Sequence, residues 1–232
     1  TKDRAVLCPS AGGSNNTPAC VSRSQAQAIN KFWYGMTSDG SVPNPAVDNG
    51  FGPLTGKRKW YGMLRGTNLK LVASSEAFSI ATDMVAIVRE DPSFASPAFQ
   101  NTVSDGRDKW ASLTYSQLSE TFDKAIGLQA RLGDINTDDP DLSAFRAHGG
   151  KLLHIHGTND ELGIVYLGSS GYYDQVLARM GGVSEVQKFY RFYLIPGMGH
   201  ALSNGTANPR ASPPVPTPLE GQFYRLITDW VE

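Results

Sequence analysis

The last third of the chain alternates short apolar runs with amphipathic stretches, and that alternation constrains the fold more than any other feature of the sequence. Lys151-Leu152-Leu153-His154-Ile155-His156 reads as a buried strand, with Gly149-Gly150 before it and Gly157 after it. A helix follows, with Tyr173, Val176, Leu177 and Met180 at i, i+3, i+4 and i+7, entered from Ser169-Ser170 and stopped by Gly181-Gly182. A second strand, Phe189 to Ile195, ends at Pro196-Gly197. A closing helix is expected from the capping box Thr217-Pro218-Leu219-Glu220, with Phe223, Leu226, Ile227 and Trp230 on one face. Strand, helix, strand, helix is a parallel unit of an α/β sheet. Two strands do not make a stable sheet of that kind alone, so a larger α/β sheet is implied.

The first 136 residues read differently. Helical stretches, Ser22 to Tyr34 and Glu76 to Val88, stand among loops rich in Gly, Pro and aromatic residues, with no repeat and no sustained alternation. Gly (24) and Pro (14) together exceed their average share of about 12%. Cys8 and Cys20 lie twelve apart in one such loop. Without further Cys or His nearby they form either a disulfide staple, the favoured reading, or two unrelated reduced thiols; a metal site needs more ligands. Two sequons, Asn15-Asn16-Thr17 and Asn204-Gly205-Thr206, carry little weight because such triplets arise by chance.

Composition excludes some classes of function. With 21 Lys+Arg against 22 Asp+Glu, a net charge of −1 and no basic block, the chain lacks the electrostatic footprint of a nucleic-acid binder. No run approaches the roughly 18 apolar residues of a membrane span, so neither nucleic acid nor membrane is an expected partner. Thr1 opens the chain without a basic and apolar leader, and any targeting segment is expected to lie outside it.

In open parallel sheets the working residues stand just beyond the C-terminal ends of strands. Asp160 lies four residues past the first strand and His200 five past Ile195, so an acid and a base are delivered to one sheet edge. An Asp that accepts a hydrogen bond from a His sets its tautomer and makes it a general base for a serine hydroxyl. Acid before His at the end of the chain is the α/β-hydrolase order. The competing reading is a loop carboxylate that caps the next turn and a solvated histidine. No G-x-S-x-G elbow is present: the Gly pairs spaced four apart, Gly52/Gly56 and Gly62/Gly66, enclose Leu54 and Leu64. Ser14 in Gly12-Gly13-Ser14 follows no buried strand and is a poor substitute. Thr1 as an N-terminal nucleophile is weaker than an ordinary trimmed terminus. His154 and His156 share a strand face at a spacing that suits a metal, but no carboxylate accompanies them, and no metal site is assigned.

The blocks from Asp141-Leu142-Ser143 to Lys151-Leu152-Leu153, then His156-Gly157-Thr158-Asn159-Asp160, Tyr172-Tyr173, Phe189-Tyr190-Arg191 and Pro196-Gly197-Met198-Gly199-His200 resemble the tannase/feruloyl esterase family of α/β-hydrolases. The likeness is tight from about residue 141 to 201. It is looser before residue 135, where Cys20-Val21-Ser22 with its Gln-rich helix and the stretch around Trp60-Tyr61-Gly62 resemble the family's lid domain. The resemblance implies an irregular lid domain over residues 1–138 inserted into an α/β-hydrolase sheet, whose C-terminal part is residues 139–232. It also implies a secreted or periplasmic Ser-His-Asp carboxylic ester hydrolase acting on galloyl or hydroxycinnamoyl esters, with Asp160 as triad acid and His200 as base.

The nucleophilic Ser, the oxyanion hole and a lid calcium loop would come from an N-terminal chain or segment outside these residues. No cofactor is required for the chemistry. Leu162 and Gly163, next to the acid, are the nearest candidates for substrate contact; Trp60 and Phe78 are aromatic candidates from the lid, with plain lid core as the other reading of both. The family usually places Cys after the base, bridged to a Cys beside the nucleophile, whereas Ala201 stands here. That bridge cannot form, so packing and hydrogen bonds must hold the triad. The rivals are a non-catalytic binding protein on a hydrolase frame and an esterase or amidase for aliphatic or polymeric substrates.

Overall fold

The computed structural model describes residues 3–74, 78–95, 109–133, 135–208 and 219–232. They fall into two compact units, Thr1–Met63 with Ser112–Phe122, and Leu64–Ala111 with Asp123–Glu232. Seven α-helices are described, α1 (Arg23–Tyr34), α2 (Ser79–Arg89), α3 (Tyr115–Gly127), α4 (Ser143–Ala147), α5 (Tyr166–Met180), α6 (Val183–Val186) and α7 (Gln222–Val231). Two strands, β1 (Leu152–Gly157) and β2 (Tyr190–Ile195), accompany them.

The first unit is built from loops and organised by polar groups. Cys8 and Cys20 are joined in a disulfide, and Leu7 bridges Val21 beside it. α1 starts at a capping box: the Gln25 N–H donates to Ser22 Oγ, and the Ser22 N–H donates to Gln25 Oε1. Arg58, 5% exposed, donates from Nε to the Tyr34 carbonyl at 3.1 Å, from Nη1 to that of Gly52 at 2.9 Å and from Nη2 to that of Gly50. Its guanidinium also lies over the rings of Tyr34 and Tyr61. One buried cation thus satisfies the last carbonyl of α1 and two loop carbonyls.

The second unit holds the sheet. β1 and β2 pair in parallel, Leu152 opposite Tyr190 through Gly157 opposite Ile195. Side chains alternate across a strand. Tyr190 and Phe192 therefore face α5 and join Val176, Val186, Phe189, Tyr173 and Leu177 in the core, where Val176, Val186 and Tyr190 are fully buried. Leu153, Ile155, Arg191 and Tyr193 face the other way and, with Phe223 and Trp230 of α7, line a cleft of about 370 Å³. The Arg191 guanidinium sits 4.0 Å over the Trp230 ring and pins α7 to that face. Helices on both faces of a parallel sheet make a three-layer α/β arrangement.

Several element boundaries differ from those read in the sequence. α5 begins at Tyr166, with buried Val165 as its extended N-cap, so Ser169 and Ser170 lie inside the helix. The Ser169 hydroxyl is bonded to His156 of β1 at 2.8 Å, and that contact uses the group a cap would have needed. α5 stops at Gly181, whose φ of 97° is the left-handed turn that favours glycine. α7 starts at Gln222 behind Gly221, at φ 69°, so Glu220 is not its third residue; Thr217 and Pro218 of the expected capping box lie outside the described residues. α2 begins at Ser79, and Glu76 lies outside the described residues.

Candidate active site

The turn after β1 and the turn after β2 are laced together. The Thr158 N–H donates to the Ile195 carbonyl at 3.1 Å, and the Asn159 N–H donates to that of Met198 at 3.0 Å. Thr158 Oγ1 accepts from the Gly197 N–H at 3.0 Å and donates to Asn159 Oδ1 at 2.8 Å. Gly157 makes this approach possible, because a Cβ there would stand 2.2 Å from the Met198 carbonyl oxygen. Asn159, 5% exposed, donates from Nδ2 to Thr67 Oγ1 at 3.0 Å, across 92 residues of sequence. Around that contact the Asn68 N–H donates to the Gly205 carbonyl and the Ala207 N–H to that of Gly66, both at 2.8 Å. Thr67 and Thr206 form an antiparallel bridge there. Strand ends, turns and this returning segment form one hydrogen-bonded frame.

On that frame Asp160 and His200 meet. Asp160 is buried, at 8% exposed, and both its carboxylate oxygens are engaged. Oδ1 accepts from the Leu162 N–H at 2.9 Å, and Oδ2 lies 2.9 Å from His200 Nδ1. A carboxylate oxygen accepts, so Nδ1 carries a proton, and in the neutral ring the lone pair is on Nε2. Nε2 makes no hydrogen bond among the described residues, and the His200 side chain is 45% exposed. A buried carboxylate behind a half-exposed imidazole, with the free nitrogen on the far side, is the geometry of a general base awaiting a hydroxyl.

The neighbours of the acid differ in exposure. Leu162 is half-buried, and Gly163, exposed at φ 83°, donates its N–H back to the Asp160 carbonyl at 3.3 Å. A Cβ on Gly163 would come 3.9 Å from Val72 Cγ1, which leaves room beside the turn. Phe78 is the extended N-cap of α2, half-buried in the second unit. Trp60 belongs to the first unit, 42% exposed, edge-on to Tyr61 at 5.6 Å and tilted against Phe122 at 6.4 Å.

The remaining candidates are occupied by structural roles or lie outside the described residues. His156 uses both ring nitrogens, Nε2–H donating to the Ile164 carbonyl at 2.9 Å and Nδ1 accepting from Ser169 Oγ. His154 Nδ1 bonds Tyr190 Oη at 2.8 Å, and its ring packs on Phe192. Burial and the neighbouring His156 hold the His154 pKa below the usual histidine value, and burial raises that of Tyr190. Ser14 Oγ donates to the Arg4 carbonyl at 3.1 Å. Thr1 lies outside the described residues.

Thr158 and Asn159 were read only as part of a family block, without a role, and Glu161 and Thr67 escaped the sequence reading. The first three carried a signal, a run of hydrogen-bonding side chains at a strand end; Thr67 carried none, because nothing local announces a partner 92 residues away.

Comparison with known proteins assigns the chain to a family. The family model described as tannase and feruloyl esterase matches residues 1–232. A probable feruloyl esterase B-2 of Aspergillus terreus is 27% identical over 238 residues, covering 98% of this chain and 37% of its own length. A tannase of Aspergillus oryzae is 30% identical over 128 residues, covering 52% of this chain and 20% of its own. The chain thus spans between a fifth and two fifths of these relatives. Among solved structures, feruloyl esterase B from Aspergillus oryzae matches with a TM-score of 0.55 and 26% identity, over 87% of this chain and 34% of that one. The parallel pair with helices on both faces is accordingly part of an α/β-hydrolase sheet. With every residue inside the family match, the chain belongs to the tannase and feruloyl esterase family.

Proposed function

We propose that these residues supply the acid and base of a carboxylic ester hydrolase for aromatic-acid esters of the galloyl or hydroxycinnamoyl type. The nucleophilic serine and oxyanion hole come from an N-terminal segment or chain outside residues 1–232. The serine hydroxyl attacks the ester carbonyl as His200 Nε2 takes its proton. His200 then returns that proton to the leaving alcohol, and Asp160 holds the imidazole and stabilises its charged form. Water, activated in the same way, attacks the acyl-enzyme, releases the aromatic acid and regenerates the serine.

The 2.9 Å contact between buried Asp160 and half-exposed His200 carries this reading. Relatives that bear the names feruloyl esterase and tannase support the substrate class. Leu162 and Gly163 are the closest candidates for substrate contact, and Trp60 and Phe78 are aromatic candidates from a lid over residues 1–138. A disulfide at Cys8–Cys20 persists in oxidising compartments, which favours a secreted or periplasmic protein. A lid calcium would take its ligands from outside residues 1–232.

Substitution tests the proposal in the whole protein as its source makes it, assayed on methyl hydroxycinnamates, galloyl esters and alkanoate esters of the same alcohol. Asp160→Asn and His200→Ala each lower kcat on the aromatic esters by about 10⁴. Retention of kcat within tenfold in either variant contradicts the assigned roles. Equal kcat/KM on alkanoate and aromatic esters contradicts the substrate class.

A further inference from the structure

Glu161 follows the acid directly, and its carboxylate faces the backbone of the base. Oε2 accepts from the His200 N–H at 2.9 Å; Oε1 stands 3.4 Å from Ser203 Oγ, whose hydroxyl proton goes to the nearer His200 carbonyl at 2.8 Å. Gly199 closes the arrangement: a Cβ there would stand 2.1 Å from Oε2 and 2.8 Å from the Gly205 Cα. Between these contacts the chain makes an expensive turn. Ala201 and Leu202 are both left-handed, at φ 54° and 66°, a region that residues with a Cβ rarely adopt. Such a turn persists only where its surroundings hold it. The Gly199 N–H donates to the Ser203 carbonyl at 2.7 Å, which closes the turn on itself but ties it to nothing beyond. The Glu161 carboxylate holds its first end through the His200 N–H and ties it to the acid's own loop.

We infer that Glu161 is a positioning residue for the base: its carboxylate clamps the strained His200–Ser203 turn and sets the place from which the His200 imidazole meets Asp160. Acid and clamp are adjacent in sequence, so any shift of the turn after β1 carries both carboxylates and the histidine together. Asp160 fixes the ring through Nδ1, and Glu161 fixes the backbone that carries the ring. Without the clamp the turn relaxes, and the Nδ1–Oδ2 contact lengthens or rotates out of line. Misplacement of a catalytic group by about 1 Å costs on the order of 100-fold in rate.

This inference rests on the proposed roles of Asp160 and His200, and the test separates the two. Glu161→Ala, Glu161→Gln, Asp160→Asn and His200→Ala are compared in the whole protein for kcat and KM per folded molecule, and for the low-field proton resonance of His200 Nδ1–H. Glu161→Ala lowers kcat between about 10- and 100-fold, leaves KM within about twofold, and broadens or shifts the resonance. Glu161→Gln keeps an oxygen for the His200 N–H and recovers kcat to within about threefold of the parent. A kcat for Glu161→Ala within twofold of the parent, with the resonance unmoved, overturns the inference while Asp160→Asn and His200→Ala remain inactive. Loss of folded protein with unchanged kcat in the remainder marks a purely structural role and also overturns it. Full activity in His200→Ala overturns both this inference and the function on which it rests.

Discussion

At the residue scale the site contrasts two histidines. His200 stands half-exposed with one nitrogen free, whereas His154, three positions before the end of β1, bonds Tyr190 and is packed on Phe192. Burial is the largest cause of the lowered His154 pKa, with the neighbouring His156 adding to it. The folded protein therefore resists protonating this ring, whereas the unfolded chain takes up the proton as pH falls through about 6.5. Where the unfolded state binds more protons, stability rises with pH. The contribution of His154 is present in full above that pH and is lost as pH falls through the lower folded value. Denaturant unfolding at pH 7.5 and 5.5 is predicted to show a shallower pH dependence in His154→Phe than in the parent, and equal slopes contradict this. In the sequence the two strand histidines looked alike, as a pair at metal spacing. Their partners Ser169 and Tyr190 come from α5 and β2, and no local pattern names them.

At the element scale the last third of the chain was well legible because its periods are clean. Apolar residues at i, i+3, i+4 and i+7 placed Val176 and Leu177 on the buried face of α5, and the run from Phe189 to Ile195 marked β2. Starts were less legible than stops. Gly181 announced the end of α5, but Ser169-Ser170 misdirected its beginning because the Ser169 hydroxyl serves His156 instead of the helix end. The same holds for α7, which enters through Gly221 although a capping box was written a few residues earlier. The junction of α5, α6 and the strands is the packed centre of the second unit. Val176→Ala removes two methyl-sized groups from a fully buried position, and a loss of about 2 kcal/mol in unfolding free energy is predicted by denaturant titration. A loss below about 0.5 kcal/mol contradicts the packing described.

At the scale of the whole molecule the two units are stabilised by different means. The second buries an apolar layer between helices and sheet; the first relies on a disulfide, on capped turns and on one buried arginine. The Arg58 cluster was illegible because its acceptors are the carbonyls of Tyr34, Gly50 and Gly52, and a backbone carbonyl has no sequence signature. The Cys8–Cys20 pairing was legible from composition alone, there being two cysteines in one loop-rich stretch. Replacing both cysteines by serine is predicted to lower stability by about 3 kcal/mol, from the entropy of the short loop they close. An unchanged unfolding midpoint, with and without reductant, contradicts that contribution.

The meeting of Asp160 and His200 was legible from their places after two parallel strands, whereas the clamp by Glu161 and the tie to Thr67 were not. The central claim is that this acid and base serve a serine outside residues 1–232. Labelling the native protein with a fluorophosphonate probe and mapping the modified peptide tests it most directly. The account predicts a single labelled serine outside residues 1–232, with labelling lost in His200→Ala. A label on a serine within these residues, labelling that survives His200→Ala, or no label at all contradicts it.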